Sequence, residues 1–85
     1  MKHASHPEIT KRLKRAEGHL RSVVTMIEEG RPCLDLAQQL HAVEAAISKA
    51  KKELIHDHIE HCLDGGSSRE TKQSLNELKQ LAKYL

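Results

Sequence analysis

No glycine or proline interrupts the chain between Pro32 and Gly65, and that one unbroken stretch limits what everything around it can become. Within it Leu36, Leu40, Val43, Ile47, Ala50 and Leu54 recur in alternating steps of four and three. This spacing lines one face of an α-helix with apolar side chains and presses that face against another helix. The pattern predicts a single long helix from Cys33 to Cys62. Pro32 stands just ahead of it, where its missing N–H costs a helix nothing, so Cys33 falls in the first turn. His58 and Cys62, four residues apart at the closing end, stack on one face and can hold one ion between them. Cys33 and His58 are separated by about seven turns, roughly 37 Å along a continuous helix, whereas a metal–ligand bond spans about 2.0 to 2.3 Å. If the three residues serve one site, Cys33 must come from an antiparallel copy of the helix in a second subunit. A two-fold axis near Ala46 would bring it there, among Ala45, Ala46, Ser48 and Ala50, whose small side chains let two helices approach closely. The symmetry then gives two equal sites, one at each end of the helix pair.

Length and composition push the same way. The chain has 85 residues and a single aromatic, Tyr84, so residues 1–85 form one domain with a core of Leu, Ile, Val and Ala. So short a chain buries a modest fraction of its surface alone, which favours a dimer or a multiple of one. No stretch has the length of a signal peptide or a membrane span, and a cytoplasmic location is expected. In a reducing cytosol two cysteines are better suited to ligation or sensing than to a structural disulfide. The net charge is only +2, but Lys11, Arg12, Lys14, Arg15 and Arg21 crowd the first third of the chain, and Lys49, Lys51 and Lys52 sit midway along the long helix.

The flanking segments also read as helical. Residues 1–5 are polar and expected to be loose, and Ser5 with Glu8, around Pro7, has the form of a capping box. Ile9, Leu13, Ala16, Leu20, Val23 and Ile27 then repeat as a heptad seam. Gly30 is placed to end that helix in a left-handed cap, and Arg31-Pro32 leads into the next. A link this short implies antiparallel neighbours. Beyond Cys62, Gly65-Gly66 breaks the long helix, Ser67 with Glu70 can cap a third, and Leu75, Leu78, Ala82 and Leu85 give it an apolar stripe. The expected class is all-α, with three helices and no strands.

Two thiolates and an imidazole form a soft donor set suited to Cu(I) or Zn. Three protein ligands complete a trigonal Cu(I) site, whereas tetrahedral Zn needs a fourth donor, for which His61, His6 or His3 is available. The plainer alternative is a buried thiol at each end of a core helix with histidines on the surface. His56, about 200° around the helix from His58, is expected to face solvent, and His19 and His41 read as structural or surface residues. The basic first helix could neutralise phosphates or simply be a solvated face. No helix-turn-helix or zinc-finger spacing is present, and no nucleophile, base and oxyanion arrangement can be assembled, so an enzyme is not expected.

The segments RLKRAEGHL at 12–20, the Cys that opens the second helix, QQLHAVE at 38–44 and the closing HIEHC at 58–62 resemble the CsoR/RcnR family of bacterial metal-sensing transcriptional repressors, over nearly the whole chain. The resemblance implies a three-helix protomer, an antiparallel dimer assembling to a homotetramer, and an apo form that binds operator DNA and releases it on metal binding, derepressing efflux genes. It matches Cys33 of one subunit with His58 and Cys62 of another to the ligand triplet of the copper-sensing branch. It also places Arg12 and Lys49 where those sensors carry DNA-binding basic residues, with Lys14 and Arg15 beside them. Glu77 corresponds, across a one-residue gap in the Gly65-Gly66 loop, to a carboxylate that hydrogen-bonds the ligand histidine. Pro32 occupies a position where copper sensors can carry Tyr. Nickel and cobalt sensors of the family have His at the position of Cys62 and use an N-terminal His with which His3 and His6 are out of register, formaldehyde sensors carry Pro next to Met1, where this chain has Lys2, and persulfide sensors lack the equivalent of His58. Cu(I) is therefore the expected signal, with Zn, Ni, Co or thiol chemistry as alternatives.

Overall fold

The computed structural model describes the backbone of residues 6–64 and 71–85 and their side chains other than those of 61–64, 71 and 74. Three helices follow in order, α1 (His6–Glu28), α2 (Cys33–Asp64) and α3 (Thr71–Ala82), with no strand among the described residues. The expected loose segment 1–5 and the capping partners Ser5 and Ser67 with Glu70 lie outside the described residues.

The turn between α1 and α2 is set by one glycine. Gly30 has φ +75°, a left-handed conformation open to a residue without Cβ. There its N–H donates to the Ile27 carbonyl and the N–H of Arg31 to that of Met26, both at 3.1 Å. This pair of bonds closes a helix with its last carbonyls satisfied. Two residues later the Pro32 carbonyl accepts from the Leu36 N–H at 3.1 Å and starts the ladder of α2 with Cys33 in its first turn. The reversal is too short for anything but an antiparallel hairpin. The 32 residues of α2 form its long member in a rod of 58 × 23 × 13 Å.

The core lies in the seam of that hairpin. Ile9, Ala16 and Val23 of α1 and Val43, Ala50 and Ile55 of α2 are only 1–5% exposed. The heptad seam expected on α1 is thereby split in two. Its other half, Leu13, Leu20 and Ile27, stays 43–53% exposed, as do Leu40, Ile47 and Leu54 of α2 at 42–45%. Each of these follows a seam position by four residues and is turned about 40° from it. In an antiparallel pair that offset carries both rows to the same side, so an apolar lane runs down one face of the hairpin. Positions three after the seam turn about 60° the other way and carry Arg12 and His19 on α1 and Gln39, Ala46 and Glu53 on α2. The hairpin thus has an apolar face and a polar face.

Of the small residues near the middle of α2, Ala50 is buried in the seam, Ala46 sits on the polar face and Ala45 is exposed, with Ile47 exposed in the apolar lane. On α3 the half-buried pair is Leu78 and Leu81, while Leu75 and Leu85 are exposed. A short helix that meets only the end of α2 has room to bury one turn of its stripe.

Candidate metal centre and basic face

Cys33 and His58 stand at opposite ends of one unbroken helix. The Cys33 thiol is exposed. His58 is half-buried, and its Nε2 lies 3.0 Å from Oε1 of Glu77, across from α2 to α3. A carboxylate at that distance accepts the Nε2–H. It also fixes the ring against rotation, the arrangement by which outer carboxylates orient ligand histidines. His58 and Glu77 line a cavity of about 190 Å³ together with His6, Leu54, Ile55 and Leu81. The backbone of Cys62 follows one helical turn after His58, and its side chain lies outside the described residues, as do those of His3 and His61. His41 and His56 are exposed.

Among the described residues, no three His, Cys, Asp or Glu side chains converge on one point. The donors that are described are a thiol at one end of α2 and an oriented imidazole at the other. Both belong to the soft-to-borderline class that Cu(I) and Zn prefer, and α2 holds them too far apart to meet on one ion within a single chain.

The polar face carries a cluster of three basic residues. Arg12, Arg15 and Lys49 surround a depression of about 200 Å³ with His19, Ala16 and Ala46. The two alanines are small enough to leave this room between the helices. Nη1 of Arg12 lies 3.0 Å from Oε1 of Glu53, and Nε2 of His19 is 2.6 Å from Oε1 of Gln39. Both ties cross from α1 to α2. The structure therefore brings together Arg12, Arg15 and Lys49, which sequence reasoning placed near DNA. Lys14, two residues from Arg12 and about 200° around the helix from it, is exposed on the outer side of α1, apart from that cluster. Glu53 and Gln39 were missed in the sequence because their partners lie across the hairpin. The available signal was their position three residues after Ala50 and Leu36.

Comparison with known proteins agrees with this architecture. The metal-sensitive transcriptional repressor family matches residues 5–84. The copper-sensing transcriptional repressor CsoR of Bacillus subtilis is 40% identical over 72 residues, covering 84% of this chain and 71% of that protein. The copper-sensing repressor RicR of Mycobacterium tuberculosis is 40% identical over 53 residues, which span 62% of this chain and 55% of the relative. Among solved structures, the nickel-responsive transcriptional regulator InrS superposes with a TM-score of 0.84 at 32% identity, over 100% of this chain and 98% of that one. With its three helices, its long α2 and a match along almost its whole length, this chain belongs to the CsoR/RcnR family of metal-sensing transcriptional repressors and is not an enzyme.

Proposed function

We propose that this repressor responds to Cu(I), and that its site is shared between subunits. Cys33 comes from one protomer, and His58 and Cys62 come from an antiparallel partner. The observation that carries this is the continuity of α2, which holds the Cys33 thiol some seven turns from an imidazole already oriented by Glu77. One chain cannot close the donor set, and a homodimer closes it twice. The apolar lane of Leu13, Leu20, Ile27, Leu40, Ile47 and Leu54 is the surface on which that dimer forms, and pairing of dimers gives a homotetramer acting in the cytoplasm.

In the apo form Arg12, Arg15 and Lys49, with Lys14 on the outer side of α1, meet the phosphates of operator DNA. When bound, the ion supplies bonds that tie the start of one α2 to the end of another. Cys33 and His58 then prefer the helix packing that brings them together, and this packing moves the basic residues of α1 and α2 relative to each other. Release follows because the ligand favours one packing over the other. Cu(I) is preferred because two thiolates and one imidazole complete a trigonal site.

Nickel is the second reading, favoured by the presence of His6 on the wall of the His58 cavity, where a further imidazole is to hand. Anaerobic fluorescence anisotropy of the reduced apo-protein on its own promoter DNA, titrated in turn with Cu(I), Zn(II), Ni(II), formaldehyde and polysulfide, separates these. Release by Cu(I) near one ion per protomer supports the proposal. Release by Ni(II) with Cu(I) inert moves it to the second reading. Release by polysulfide or formaldehyde alone replaces metal ligation with thiol chemistry.

A further inference from the structure

We infer that Glu53 is a positioning residue for DNA recognition, holding Arg12 against α2 and screening it from indiscriminate contact with phosphate. This rests on the reading of the polar face as the DNA-binding face. The pair joins Nη1 of Arg12 to Oε1 of Glu53 at 3.0 Å, with the two side chains 38% and 34% exposed. It joins α1 to α2 beside Arg15 and Lys49, which line the same depression and, among the described residues, have no salt bridge.

The chemistry of the pair decides what it can do. A guanidinium has five N–H donors in a rigid fork, so a single carboxylate oxygen leaves most of them available to a phosphate. The bond nonetheless fixes where the fork points, because Glu53 is anchored on α2, one turn beyond Lys49. Arg12 and Lys49 are thereby set in a common frame although they belong to different helices. The carboxylate also subtracts one charge from the cluster of Arg12, Arg15 and Lys49, and it repels any phosphate that approaches out of register. A correctly placed phosphate finds an oriented donor, and a misplaced one meets a negative charge. Glu53 accordingly lowers affinity for DNA in general and raises the ratio of operator to random binding.

The test uses the full reduced apo-protein and anisotropy titrations on its own promoter DNA and on a random duplex of equal length, over a series of salt concentrations. The variants are Glu53→Gln, Arg12→Gln and the two combined. Glu53→Gln is expected to bind the random duplex roughly two- to fivefold more tightly, the scale of a partly exposed ion pair, to steepen the salt slope by up to about 0.9, and to lower the operator-to-random ratio. In the Arg12→Gln background the same change is expected to have less than half that effect. Glu53→Asp keeps the charge but shortens the reach, and it should lower the ratio without steepening the slope. The inference is overturned if Glu53→Gln matches the wild type in affinity and slope, if its effect is undiminished without Arg12, or if Glu53→Asp is indistinguishable from the wild type. Circular dichroism melts establish that each variant is folded. Absence of binding by the wild type removes the DNA-face reading itself, and the inference with it, an outcome recognised because all variants then fail alike.

Discussion

In the proposed metal site, the Glu77 carboxylate separates a histidine that can bind metal from one that is ready to. Its contact with Nε2 of His58 orients the ring, so Glu77→Ala should leave the fold intact, since the side chain is 54% exposed, yet lower Cu(I) affinity by about 10- to 100-fold. Competition with a Cu(I) chelator under anaerobic conditions measures this, and unchanged affinity would remove Glu77 from the proposed site. His58→Ala distinguishes ligation from thiol chemistry. It is expected to abolish release of DNA by Cu(I), whereas a switch that works by bridging Cys33 to Cys62 would survive it. Cys33 and His58 could be proposed as ligands from the sequence because their types and their places at the two ends of α2 are both local facts. Glu77 could not be reached by spacing and came from resemblance, because its distance from His58 depends on the path through 65–70. Glu53 was hidden for a related reason: its partner is fixed by the register of the hairpin, and a periodic pattern does not specify register across a turn.

The helices themselves were legible because each carries its own start, stop and stripe. What the stripe cannot disclose is how many neighbours share it. Ile9 to Ile27 reads as one seam, but alternate members lie on two faces: Ile9, Ala16 and Val23 face α2, while Leu13, Leu20 and Ile27 face outward. Two glycines show how position decides the effect of one atom. Gly18 lies within α1 with nothing within 4 Å of an added Cβ, so Gly18→Ala should stabilise by about 0.8–1.0 kcal/mol through helix propensity alone. Gly30 also has open space around it, but its φ of +75° makes an L side chain costly, and Gly30→Ala should destabilise by roughly 1–2 kcal/mol. Urea unfolding of the metal-free protein at a fixed protomer concentration, needed because assembly contributes to stability, checks both. Equal signs for the two substitutions would contradict this account of the turn.

A hairpin that leaves six large apolar side chains nearly half exposed along one face is built to be covered, since apolar lanes of this kind mark association surfaces. Ile47 lies at the middle of the α2 row, so Ile47→Glu should place a charge in the proposed dimer contact. It is expected to shift the protein towards monomer in sedimentation experiments and to abolish Cu(I) binding, although it touches no ligand. The proposed sharing of the site has a sharper consequence. In an antiparallel dimer, each site takes Cys33 from one chain and His58 with Cys62 from the other. A Cys33→Ser protein and a His58→Ala/Cys62→Ser protein should therefore each fail to bind Cu(I) alone. Unfolded together and refolded as a mixture, about half of the dimers should be mixed, and each mixed dimer regains one intact site, because the thiol of one variant meets the imidazole and thiol of the other. Binding capacity should return to about a quarter of the wild-type value. A site contained within one chain gives no recovery at any mixing ratio, since neither variant holds a complete set. Recovery near a quarter also requires that the two α2 helices run antiparallel, because parallel helices would leave Cys33 of either chain beside Cys33 of the other and far from both histidines. One titration of the refolded mixture thus tests the ligand set, its division between subunits and the direction of the helix pair together.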